Sequence, residues 1–135
     1  MSYFAAYVAA LVVFIVADMA WLTTMVPRLY RPVLGDLLLS GVNVTPASIF
    51  YLLYPVGLVV FAVGPALKSE GIFTAATMGA LFGLFTYGTY NLTNHATLRK
   101  WSALLSIVDM AWGSILGAIT ATLAYWIVAR FIAQP

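Results

Sequence analysis

Cysteine is absent from this 135-residue chain. That excludes disulfides, thiolate metal sites and thioether-linked haem. Charge is scarce: 7% of residues are charged, against about a quarter in an ordinary soluble domain. With 64% hydrophobic residues, too little polar surface remains to cover a water-soluble globule. The net charge of +2 is too small for an electrostatic nucleic-acid footprint, so no nucleic-acid partner is expected. His95 is the single histidine. No HExxH pair, phosphate-binding glycine loop or nucleophile elbow accompanies it. No metal site is expected, and the sequence leaves any cofactor unspecified. No lysine or arginine precedes the first apolar run. The charged start of a cleavable signal peptide is therefore missing, and the first segment is expected to stay in the mature protein.

What the chain does have is four long apolar runs, at about 3–26, 46–65, 70–92 and 102–131, each near the length of about 20 residues that crosses a bilayer. In hydrocarbon the backbone must bond to itself, so these runs should be helices. They lack the period-2 alternation of a membrane barrel. The expected fold is an all-α integral membrane protein, a single four-transmembrane-helix bundle. The first run is expected to stop at Pro27. The second opens at Thr45-Pro46, a cap residue and a proline suited to a helix start, and Pro55 inside it predicts a kink. The link from Arg28 to Val44 is long and contains "PVLGDLLLSG". It reads as a short interfacial helix, a re-entrant piece or a plain loop.

Basic residues set orientation. Arg28, Arg31, Arg99 and Lys100 lie on the side of the first and third links, and Lys68 and Arg130 on the other. This balance places the first and third links in the cytoplasm and the termini outside. The four residues on the link side would snorkel to lipid head groups and fix orientation.

The tetrapeptide "DMAW" occurs twice, as Asp18 to Trp21 and as Asp109 to Trp112, both times inside apolar sequence. The first and fourth helices run in opposite directions, so the two aspartates reach one depth, roughly 10–12 Å in from the link side. Each tryptophan sits three residues after its aspartate and shares its helix face. On the fourth helix that face also carries Ser106, Gly113 and Gly117, which directs Asp109 into the bundle. Gly113 and Gly117, like Gly79 and Gly83 on the third helix, form small-residue pairs of the kind that let helices approach closely. Other polar groups collect at the same depth: Tyr51 and Tyr54 on the second helix, Tyr87, Tyr90 and Asn91 on the third, and Asn94 and His95 just after it. The opposite half of the membrane is mostly aliphatic.

The stretch "GALFGLFTYGTYNLTNHATLRKWS", the following "IVDMAWG" and the earlier "YLLYPVGLVVFAVGPAL" resemble the small bacterial membrane proteins grouped as domain of unknown function 2177. The resemblance covers nearly the whole chain. It implies a four-helix protein of the bacterial inner membrane and no assigned activity. It also implies an aspartate where this chain has Asn91, so a role there that needs only hydrogen bonds survives.

Ionisable residues inside a membrane are costly and point to function. For Asp18 and Asp109 a structural role, each tying its helix to a neighbour, competes on equal terms. If they are functional, the favoured expectation is binding or transport of a small ligand or ion at a polar pocket near the cytoplasmic interface. Its walls would be Asp18, Trp21, Tyr51, Tyr54, Tyr87, Tyr90, Asn91, Asn94, His95, Asp109 and Trp112. Transport through four short helices would call for a homo-oligomer. A second class is an accessory subunit that holds lipid, pigment or a larger membrane complex. A third is an enzyme acting on a lipid head group, with paired carboxylates as acid and base. The bland readings are a hydrogen-bonding surface histidine, aromatic-belt tryptophans, and tyrosines that satisfy carbonyls freed by Pro55.

Overall fold

The structure is a computed structural model and describes residues 2–132. Four helices are long and apolar enough to cross a membrane: α1 (Ser2–Leu37), α2 (Val44–Lys68), α3 (Ile72–Thr97) and α4 (Ala103–Ile132). They run alternately up and down in a ring. α1 packs on α2 and α4, and α3 packs on α4 and on part of α2.

The closest approach is between α3 and α4. A Cβ on Gly83 would lie 2.0 Å from the carbonyl oxygen of Gly113, and one on Gly117 would lie 2.1 Å from that of Gly79. Backbone meets backbone there, which is what two small-residue pairs on facing helices permit. The Ser114 hydroxyl adds a bond to the Ala80 carbonyl at 3.0 Å.

Packing changes along the bundle axis. The end that carries the termini is filled by alanines and valines, among them Ala6, Ala10, Ala62, Val63, Ala121 and Ala124. The middle holds Phe14, Tyr54, Leu58 and Leu116. Beyond them, toward the first and third links, come the buried polar side chains Asp18, Asn91, Ser106 and Asp109.

Two helix ends differ from the sequence expectation for physical reasons. Pro27 does not end α1. The chain passes through a π turn at Val26–Tyr30, where the Arg31 amide bonds to the Val26 carbonyl. It stays helical through Arg31–Leu34 and closes in a 3-10 turn, Gly35–Leu37. Proline removes one amide and crowds the carbonyl four residues back, and the wider turn accommodates both. The expected separate interfacial helix is therefore the last turns of α1, and only residues 38–43 form a loop. α3 runs on to Thr97, past the expected end near residue 92. The hydroxyls of Thr93 and Thr97 bond back to the carbonyls of Thr89 and Thr93, so these polar side chains find partners within the helix.

Smaller differences follow the same logic. α2 starts at Val44 with Asn43 as its cap residue, so Pro46 lies in the first turn, where its missing amide has no partner to lose. α2 stays α-helical through Pro55, where a kink was expected, and a second π turn follows at Val59–Val63. That turn is the part of α2 that packs on α3, whereas Val44–Leu58 packs mainly on α1. α4 begins after Ser102, whose hydroxyl accepts from the Leu105 amide at 3.2 Å.

Candidate binding site

Asp18 on α1 and Asp109 on α4 are 6% and 7% exposed, so both carboxyls point into the bundle. Every oxygen of the pair accepts a hydrogen bond. Tyr51 donates to Asp18 Oδ2 at 2.5 Å and Trp112 Nε1 donates to Asp18 Oδ1 at 3.1 Å. Tyr30 donates to Asp109 Oδ1, and Asn91 Nδ2 donates to Asp109 Oδ2 at 2.6 Å. Trp21 Nε1 in turn donates to the Tyr30 hydroxyl at 3.0 Å.

The two motif copies therefore exchange partners. The tryptophan of the second copy reaches the aspartate of the first directly. The tryptophan of the first reaches the aspartate of the second through Tyr30. Between them the indole rings of Trp21 and Trp112 stack, with centroids 4.5 Å apart and planes 3° from parallel. All four helices enter this layer, because Tyr51 lies on α2 and Asn91 on α3.

Tyr30 belongs to this layer and was missed by sequence reading. In an unbroken α-helix it would lie about 120° around from Asp18; one extra residue in the π turn brings it back to within about 20°. The signal was Pro27 itself, if read as a wider turn and not as a stop. Thr86 was also missed. Its hydroxyl bonds with that of Tyr54 at 2.9 Å and with the Phe82 carbonyl at 2.8 Å. The hydroxyls of Tyr51 and Tyr54 thus bond across helices and leave the carbonyls near Pro55 alone.

Two adjoining cavities open onto this layer. One, of about 500 Å³, lies under the loop of residues 38–43 and is walled by Asp18, Trp21, Tyr30, Tyr87, Asp109 and Trp112, with Arg31 also on its lining. The other, of about 300 Å³, lies between α2 and α3 and is walled by Phe50, Thr86, Tyr87, Tyr90 and Asp109. Tyr87, Tyr90 and Asp109 belong to both.

The remaining expected residues separate cleanly. Asn91 is fully buried and touches the site through Asp109, and its Oδ1 has no hydrogen-bond partner. Asn94 and His95 line neither cavity, and His95 is exposed. Arg28, Arg99 and Lys100 are exposed and outside both cavities. Arg31, expected at the head groups, is exposed and also lies on the lining of the larger cavity. Trp101 bonds to Ser106 at 2.9 Å and packs edge-on against Tyr90.

Fold and composition together define a multi-pass membrane protein, a four-helix bundle with two carboxyls buried at one end. The chain belongs to the family described as predicted membrane protein DUF2177, whose family model matches residues 3–126. No curated protein and no solved structure matches it.

Proposed function

We propose that the protein binds a small positively charged ligand in the polar cavities at the link end of the bundle, either to hold it or as a step in carrying it across the membrane. The observation that carries this reading is the placement of Asp109. Its carboxyl is held from inside the protein by neutral donors, yet it walls both cavities. Neutral donors solvate a carboxylate but do not cancel its charge, which a buried carboxyl loses either to a proton or to a bound cation. Two carboxyls share the larger cavity, and Arg31 is the only basic residue on its wall among the described residues. Tyr87, with the stacked pair Trp21 and Trp112, lines the cavity, and a cation is attracted to the negative face of any aromatic ring left uncovered. The volume suits a small ligand, for which pockets run from about 300 to 1,000 Å³.

A standing pore through one chain fits this arrangement poorly. The opposite end of the bundle is closed by Ala6, Ala10, Ala62, Val63, Ala121 and Ala124. Carriage would require that packing to open in alternation with the link end. We place the first and third links in the cytoplasm and the protein in a bacterial inner membrane. The excess of Arg28, Arg31, Arg99 and Lys100 over Lys68 and Arg130 supports the orientation.

The test uses purified protein in uncharged maltoside micelles, titrated with tetramethylammonium and followed by tryptophan emission. Wild type should give a saturable change, because Trp21 and Trp112 stand in the cavity wall. Asp109→Asn should remain folded by thermal unfolding and lose that response. An identical, non-saturating response in both proteins would contradict the reading.

A further inference from the structure

The seam between α2 and α3 is closed at Val59–Val63, where the two helices pack, and parts toward the links. At Gly57 the Phe82 ring bridges the two helices, for a Cβ there would lie 2.6 Å from the tip of that ring. One turn nearer the links, the Tyr54 and Thr86 hydroxyls bond across the seam at 2.9 Å. One further turn along, at Phe50 and Tyr90, the seam is the 300 Å³ cavity, and it runs inward to the Asp109 carboxyl. Phe50 is 40% exposed and Tyr90 57% exposed. Counted from Val44 and Thr97, both lie roughly 9–10 Å inside their helix ends. At that depth an exposed ring on a spanning helix faces lipid, not water.

We infer that the ligand is an amphiphile, a cationic head group on an apolar chain, which enters sideways from the bilayer between α2 and α3. The inference rests on the cation-binding reading above and adds to it the ligand's chemical class and its route. The head group would meet Asp109 and the faces of Tyr87 and Tyr90, where the two cavities join. The chain would lie along Phe50 and out into the lipid. A hydrated ion would have to leave its water to take this path, and an amphiphile already dissolved in the bilayer would not. At the other opening the wall includes Leu37, Leu38 and Leu39, a leucine-rich cover over the larger cavity. That cover matches apolar cargo better than a fully hydrated one.

The chain has no cysteine, so an introduced pair can be cross-linked without background. Ala47→Cys with Asn94→Cys places one thiol on each helix a turn nearer the links than Phe50 and Tyr90, and neither residue lines either cavity. A bifunctional thiol reagent then ties the mouth of the gap. Binding of dodecyltrimethylammonium and of tetramethylammonium is measured on this double variant before and after cross-linking, in maltoside micelles. The expected result is at least about a tenfold loss of affinity for the chain-bearing probe and less than about a twofold change for the small one. Unchanged binding of the chain-bearing probe after complete cross-linking overturns the lateral route, and so does equal loss of both probes. If wild type binds neither probe, the cation reading itself has failed; if it binds only the small one, that reading stands and the inference falls. Phe50→Cys with Tyr90→Cys, tied across the gap itself and compared with its own untied form, repeats the measurement should the first pair fail to fold or to cross-link.

Discussion

The two ends of this bundle are built on opposite principles. At the end with the termini, small residues let helices close until backbones touch, and of the buried polar side chains only Thr120 lies there among the described residues. At the link end, rings and carboxyls hold the helices apart and join them by side-chain hydrogen bonds, which leaves cavities. Helices α3 and α4 show the change within a few turns. Gly79 faces Gly117 and Gly83 faces Gly113, both in backbone contact, and then the Tyr87 ring lies over Gly113, where a Cβ would be 2.2 Å from the ring's Cγ. Close packing supplies stability at one end, and its deliberate interruption supplies room at the other. The polar residues cost stability in a membrane, and the tight end offsets that cost.

Breaking the tight end should have the largest effect. In Gly83→Leu the new side chain meets the Gly113 backbone, which cannot rotate away, so about 3 kcal/mol or more of unfolding free energy should be lost. Denaturation in mixed micelles measures this. Gly88 is the contrast: a Cβ there meets only the flexible Met110 methyl at 3.2 Å. Gly88→Ala should therefore change stability by less than about 1 kcal/mol.

At the polar end, Asp109→Leu strands the Tyr30 hydroxyl and the Asn91 amide, and about 2 kcal/mol should be lost. Asp109→Asn should cost less, about 1 kcal/mol, because the new amide oxygen can still accept from Tyr30, while turning Asn91 over to accept from the new amide nitrogen would give up its bond to the Tyr87 carbonyl at 2.9 Å. The same denaturation series distinguishes the two. Equal losses would show that the hydrogen bonds at this carboxyl do not hold the helices together.

The tryptophans come next. Trp112→Phe keeps a ring for the stack and removes a bond to a carboxyl, and should cost about 1.5 kcal/mol; Trp21→Phe removes a bond to a hydroxyl and should cost about 1 kcal/mol. A reversed order would mean that Tyr30, and not Asp18, anchors the layer. Smallest of all, His95→Ala should stay within about 0.5 kcal/mol and leave tetramethylammonium binding unchanged, since His95 is exposed and apart from the cavities.

The four spans were legible because each apolar run has the length of a bilayer crossing. The shared depth of Asp18 and Asp109 followed from a repeated tetrapeptide on antiparallel helices. Their partners did not follow. The exchange of tryptophans depends on how the helices rotate about their axes, and that is set by glycine contacts elsewhere in the bundle. Tyr30 was hidden because a π turn shifts the helix phase by one residue, and proline is ordinarily a stop. Asn94 and His95 were assigned by depth along the chain. Depth alone does not say which way a side chain faces at the frayed, polar end of a helix. Arg31 was assigned to the head groups by charge; its place on the cavity lining was hidden by the same continuation of α1 past Pro27.

The central claim is that the two buried carboxyls belong to one site, bridged by exchanged tryptophans. A double-mutant cycle of Asp18→Asn and Asp109→Asn, read by unfolding free energy in the same micelles, tests this most directly. A single site predicts a coupling of about 1 kcal/mol between the two substitutions. Additivity to within about 0.3 kcal/mol would mean that each aspartate ties only its own helix to a neighbour.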